Sequence, residues 1–177
     1  EGAISISNSS GNNFVITNNI IGGGNSTGGG TAWTIGGTQA NRFKGISIAV
    51  GTTTASSIQG NTIANFNFTS SSNSTTAGGP WVGIYLTAGN VNIGNTTGNI
   101  IGGSTGNGSI VISIITSAGA RSSGIYCDAA STVSNISNNV IGSITTNSST
   151  ISQGFAGIVT TAGTTLTINN NSIGSTS

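Results

Sequence analysis

The sequence predicts an all-β chain wound as a parallel β-solenoid of about five turns, and three observations carry that expectation. Asn19, Asn61, Asn99, Asn139 and Asn171 each stand two residues before an isoleucine, at Ile21, Ile63, Ile101, Ile141 and Ile173. An earlier phrase accompanies each of them: Ala3-Ile4-Ser5-Ile6, Gly45-Ile46-Ser47-Ile48, Gly83-Ile84-Tyr85-Leu86, Gly124-Ile125-Tyr126-Cys127 and Gly157-Ile158-Val159-Thr160. The two phrases also move together. Starts of the earlier phrase lie 42, 38, 41 and 33 residues apart, and the asparagines 42, 38, 40 and 32 apart. A phrase pair recurring at about 33–43 residues is the mark of stacked units that bury their apolar faces against one another.

Each element follows from local pattern. Apolar residues alternate over short runs, as in Ala3–Ile6 and Ile110–Ile114, and Gly, Asn or Ser breaks each run, which is strand followed by turn. Further apolar positions lie between the phrases: Phe14 and Ile16, Ile58, Val91 and Ile93, Val133 and Ile136, and Leu166 and Ile168. Strong helix formers are scarce, so helix is not expected. No run approaches the roughly 20 apolar residues of a membrane span.

In a parallel solenoid, successive turns lie about 4.8 Å apart and equivalent residues stack. Ile4, Ile46, Ile84, Ile125 and Ile158 then form one interior column, and Ile21, Ile63, Ile101, Ile141 and Ile173 a second. The five asparagines form a ladder at a turn, each amide bonding the next, with Asn tolerating the left-handed backbone that a turn needs. Glycine after four of those isoleucines suits a sharp corner. Cys127 shares an inward column with Ile6, Ile48, Leu86 and Thr160, where a thiol behaves as a small hydrophobe, and Asp128 points outward. Length variation falls in the polar arms 22–44, 64–82, 102–123 and 142–156. These arms either broaden one side or fold into extra strands outside the stack, and two turns per repeat remain an alternative.

The Gly-Ile-x-Leu and Asn-x-Ile phrases with small polar turns resemble right-handed parallel β-helix proteins of the pectate-lyase-like class. Within it they are most similar to repeat-rich surface and adhesin proteins secreted by bacteria. The resemblance implies a right-handed β-helix and an extracellular or cell-surface location.

Composition narrows the function classes. Charged residues make up 3 % of the chain, against about 25 % in ordinary domains, while 34 % hydrophobic residues, rich in Ile and Val, argue for order. The net charge is +1 and three cations cannot make a basic stripe, so nucleic acid is not an expected partner. Glycoside hydrolysis needs two carboxyl groups, and the chain has only Glu1 and Asp128. There is no His, no acidic cluster suits calcium, and a Ser-Lys pair using Lys44 has no motif behind it. We therefore expect no enzyme, no cofactor and no metal. Nine Asn-x-Ser/Thr sequons, at Asn8, Asn25, Asn67, Asn73, Asn95, Asn107, Asn135, Asn147 and Asn170, carry little information in a chain so rich in these residues. Thr residues do not repeat in register, which counts against an ice-binding face.

Phe43, Trp81 and Phe155 recur two positions before the phrase glycine, with Ser122 in that place in the fourth repeat. They either cover a corner of the solenoid or offer stacking platforms for surface glycans. The chain runs from the start of one repeat to just past the last asparagine phrase, without a distinct terminal sequence. The expectation is a single solenoid domain over 1–177, an uncapped stretch or subunit of a longer solenoid or fibre. Its partners would be other copies of itself, or adjacent repeats, stacked end to end.

Overall fold

The computed structural model describes residues 2–74, 78–103, 106, 109–116, 120–128, 134–148, 154–161 and 165–174. Glu1, Val133 and the sequon Asn107 lie outside them. The first turn comprises β1 (Gly2–Asn8), β2 (Val15–Thr17), β3 (Ile20–Ile21) and β4 (Trp33–Ile35). The second comprises β5 (Phe43–Val50), β6 (Ser56–Gln59), β7 (Thr62–Ile63) and β8 (Phe66–Ser70). The third comprises β9 (Trp81–Ala88), β10 (Val91–Ile93), β11 (Ile100–Gly102) and β12 (Ile110–Ile114). The fourth comprises β13 (Arg121–Cys127), β14 (Ser134–Ser137), β15 (Val140–Gly142) and β16 (Ile144–Ser148). The fifth comprises β17 (Gly154–Thr160), β18 (Leu166–Asn169) and β19 (Ser172–Ile173).

Every strand pairs in parallel with its equivalent one turn away, giving sheets β1-β5-β9-β13-β17, β2-β6-β10-β14-β18, β3-β7-β11-β15-β19 and β4-β8-β12-β16. One repeat is therefore one turn. The polar arms supply a fourth stacked side, not strands outside the coil. Phe66 pairs with Ile110 and Ile110 with Ile144, while Phe68 pairs with Ile112. Phe66, Phe68, Ile110 and Ile112 are all buried.

Both expected isoleucine columns form. Ile4, Ile46, Ile84, Ile125 and Ile158 are in register across the first sheet, and Ile21, Ile63, Ile101, Ile141 and Ile173 across the third. The middle members of both columns are fully buried, whereas Ile173 in the last described turn is 59 % exposed. The glycine of the earlier phrase explains why the phrases travel together. A Cβ at Gly83 would lie 2.6 Å from the Gly124 carbonyl oxygen and 3.0 Å from Ile101 Cδ1. Gly45, Gly124 and Gly157 meet Ile63, Ile141 and Ile173 in the same way. In these four turns glycine lets the first sheet approach the third-sheet isoleucine of its own turn this closely, while the first turn has Ala3 in that place.

The ladder sits at the corner between the second and third sheets. Asn19 Nδ2 donates to Asn61 Oδ1, Asn61 to Asn99, Asn99 to Asn139 and Asn139 to Asn171, each at 2.9 Å. Each accepting oxygen also takes the preceding asparagine's main-chain N–H at 3.0 Å. The amide nitrogens of Asn61, Asn99, Asn139 and Asn171 donate backwards as well, to the carbonyls of Ile16, Ile58, Ile93 and Ile136. The left-handed backbone falls one residue earlier than expected, at Asn18, Gly60, Asn138 and Asn170 (φ 57, 63, 59 and 53). The ladder side chain needs ordinary backbone to point inward, so the residue before it makes the turn.

Replacing Asn99 with Ala leaves the Asn61 donors without their acceptor in the interior, so it should cost about 1–3 kcal/mol. Gly83→Ala should cost a similar amount by overpacking against Ile101, whereas exposed Thr54→Ala should stay within about 0.5 kcal/mol. Urea melts of the three variants check this, and equal midpoints would count against both the ladder and the glycine contact.

Candidate functional site

The aromatic residues expected to offer glycan platforms are mostly interior. Phe43 and Trp81 are in register and 1 % and 0 % exposed. Together with Phe66 they pack inside the coil, and Trp33, 40 % exposed, lies against them: Phe43 and Phe66 ring centroids lie 5.0 Å apart, Trp33 and Phe66 5.3 Å, and Phe66 and Trp81 6.2 Å. A sugar cannot reach the faces of Phe43 or Trp81, and the platform reading is corrected to core packing for both. Hydrophobic burial wins because this strand position faces the fourth side, which the sequence pattern did not reveal. Phe155 is half-buried and packs against the same core, in register with Ser122.

Chemically richer residues gather instead on the outer face of the first sheet. The four described charged residues all belong to it or adjoin it: Arg42 precedes β5, Lys44 lies in it, Arg121 opens β13 and Asp128 follows β13. Lys44 Nζ stands 3.7 Å from the Tyr85 ring centroid, a cation–π contact. Tyr85 and Tyr126 are in register, with centroids 5.7 Å apart. The Tyr85 hydroxyl donates to Asp128 Oδ2 at 3.3 Å, and Thr161 Oγ1 donates to Asp128 Oδ1 at 3.0 Å. Asp128 is thus the shared acceptor of the cluster as well as an outward residue next to a strand end.

This face is partly roofed. Gly78, at φ 77, lies over Val82 and Tyr126: a Cβ there would come 2.6 Å from Val82 Cγ2 and 3.1 Å from Tyr126 Cγ. Beside it runs a cleft of about 320 Å³ whose lining includes Arg121, Ser123, Tyr126, Phe155 and Val159. The Ser122 and Ser123 hydroxyls and Trp81 Nε1 are buried without a hydrogen-bond partner. Buried polar groups of this kind are normally satisfied by water or by a ligand.

Burial leaves its mark on the titrating groups. Desolvation lowers Lys44 to about 8, with Arg42 adding to the fall and Asp128 opposing it. Desolvation, then the Asp128 carboxylate, pushes Tyr85 up to about 12. Cys127 sits where expected, in register with Leu86 and Thr160 and buried, and burial pushes its thiol up to about 12. A thiol held protonated and out of solvent is a poor nucleophile.

Sequence reading passed over the Lys44–Tyr85–Asp128 cluster because its members lie on three different turns. One signal was present. Tyr85 and Tyr126 hold the same outward place in two successive Gly-Ile phrases, beside Ser47 and Val159 in their neighbours. Among the described residues no three His, Cys, Asp or Glu side chains come together as a metal site. No described helix is long and apolar enough to cross a membrane. No protein-family model, curated protein or solved structure matches this chain.

The shifts set the alkaline behaviour. Between about 8 and 10.5 the unfolded chain holds more protons at Lys44 than the folded one, so this group adds stability as pH rises. Cys127 has the opposite sign: from 9.0 to about 12 the folded chain holds the extra proton, and stability falls with rising pH. Lys44→Gln should therefore steepen the alkaline loss and Cys127→Val should flatten it. Urea midpoints measured from about pH 8 to 10.5 report both slopes. Native Cys127 should also resist a thiol reagent at about pH 8 and react once the chain is unfolded. Rapid labelling of the folded chain would contradict the inward placement.

Proposed function

We propose that this chain is a structural stretch of extracellular β-solenoid, part of a fibre or of the stalk of a bacterial surface adhesin. The observation that carries the reading is the ladder. The same amide bonding pattern links all five turns, at one corner of an apolar interior filled by continuous columns. A structure in which each turn does for the next what the previous one did for it is a spacer, lengthened by adding turns. Low charge and the resemblance to secreted surface repeats support placing it outside the cell. In this reading the chain catalyses nothing and needs no cofactor.

A second reading, a glycan-binding surface, is favoured by the cleft beside Tyr126, whose wall includes Arg121 and Phe155. It replaces the interior aromatics with an outer-face site. Immunogold labelling of producing cells, run beside a glycan panel with the purified chain, separates the two. The structural reading expects label on the cell surface or on fibres and no saturable glycan binding. Label confined to the cell interior would overturn it. Saturable binding that Tyr126→Ala abolishes would establish the second reading.

A further inference from the structure

We propose that Tyr85 and Tyr126 form a covalent coupling site, at which one-electron oxidation joins the two rings as dityrosine and ties the third turn to the fourth. The inference goes beyond the structural reading above and does not depend on it. These are the only tyrosines of the chain. The fold sets them in register on adjacent strands, with ring centroids 5.7 Å apart and ring planes tilted by 58°. Their strands, β9 and β13, are each paired on both sides. Ser47 and Val159 hold the same outward place on the flanking turns. Val82 and Val159 pack against the pair, Gly78 lies over Tyr126, and the two tyrosines are 7 % and 9 % exposed. Rings confined in this way have little freedom left to lose on reacting, which favours coupling within the chain. With Cys127 as the single cysteine, no disulfide within the chain ties one turn to another.

The surroundings suit the chemistry. Tyr126 borders the cleft beside Arg121 and Phe155, which gives a small oxidant a path to its ring. The Lys44 ammonium over the Tyr85 ring opposes electron loss there. Asp128 Oδ2 counters this by accepting the Tyr85 phenolic proton along a hydrogen bond already made, while Thr161 holds the other carboxylate oxygen. Tyr126 first loses an electron to the oxidant and its proton to water. It recovers both when an electron crosses from Tyr85 and the Tyr85 proton passes to Asp128. A second oxidation at Tyr126 then leaves two phenoxyl radicals side by side. One C–C bond forms between their ortho carbons, and the ortho hydrogen of each ring moves to its own oxygen, restoring two phenols. The oxidant is a peroxide acting in one-electron steps: hydrogen peroxide takes up the two electrons and two protons and leaves as two waters.

Photo-oxidation of the purified chain at high dilution tests this, with ruthenium tris-bipyridine as the one-electron oxidant and persulfate as the electron sink. Folded wild type should lose two hydrogens by mass, gain dityrosine fluorescence and run as a single chain on a denaturing gel. Digestion should release one cross-linked peptide pair, carrying Tyr85 and Tyr126. Folded chain should couple at least about tenfold faster than chain unfolded in urea, because register replaces chance encounter. Tyr126→Phe combined with Val159→Tyr keeps two tyrosines but sets them two turns apart, and should couple at least about tenfold more slowly than wild type. Coupled wild type should also unfold at a higher urea concentration, since the new bond closes a loop of about forty residues in the unfolded chain. Should the double variant fail to fold, the comparison of folded with unfolded wild type decides. Absence of the cross-link from folded wild type, equal rates in folded and unfolded chain, a folded double variant that couples like wild type, or an unchanged urea midpoint would overturn the site. Surface labelling reports separately on the structural role.

Discussion

At one corner of each of the three middle turns a single asparagine amide, that of Asn61, Asn99 or Asn139, is held from both directions along the stack. Its oxygen accepts two donors from the turn before, while its nitrogen reaches forward to the next asparagine and back to a carbonyl. A group fixed by so many bonds in a dry interior has one acceptable position, because each lost partner leaves a buried polar atom unsatisfied. The strands on either side of it are thereby pinned in register, and a slip of one residue would turn the isoleucine two positions later out of the core. The arms, remote from this corner, can vary in length without disturbing the stack.

The second constraint is a close approach. In turns two to five, glycine in the first sheet meets isoleucine in the third across the interior of the same turn, so a side chain added at the glycine presses on that isoleucine. This contact is why two phrases separated by several polar residues keep nearly constant spacing. The ladder fixes the position of the isoleucine, and the glycine admits it. Between them they set the width of the coil, and the aromatic pile of Trp33, Phe43, Phe66 and Trp81 fills the space left toward the fourth side.

With the interior so uniform, individuality is left to the surface. Charge is rare in this chain, and the described charges gather along the first sheet, around Tyr85 and Tyr126. A lysine, a tyrosine and an aspartate from three successive turns make one cluster there only because stacking brings residues about forty positions apart to within about 4.8 Å of each other per step. Such a cluster has no spacing signature within any one repeat.

The sequence by itself determined the parallel stack, both isoleucine columns, the asparagine ladder and the inward place of Cys127. Each of these depends on one residue type recurring at one position, and a period of this kind is visible without coordinates. Tertiary structure decided the rest. The arms, irregular in length and composition, gave no period, so their assembly into a fourth side emerged only from strand pairing. That fourth side is what turns Phe43 and Trp81 from candidate surface platforms into core, since burial depends on what lies opposite as well as on local pattern. Likewise, the left-handed corner falls on the residue before four of the five ladder asparagines, at Asn18, Gly60, Asn138 and Asn170, because an inward amide and a reversed backbone cannot both be met by one residue. Periodicity along the chain reports what repeats; contacts across the coil, between segments with no common pattern, exist only once the chain has closed its turns.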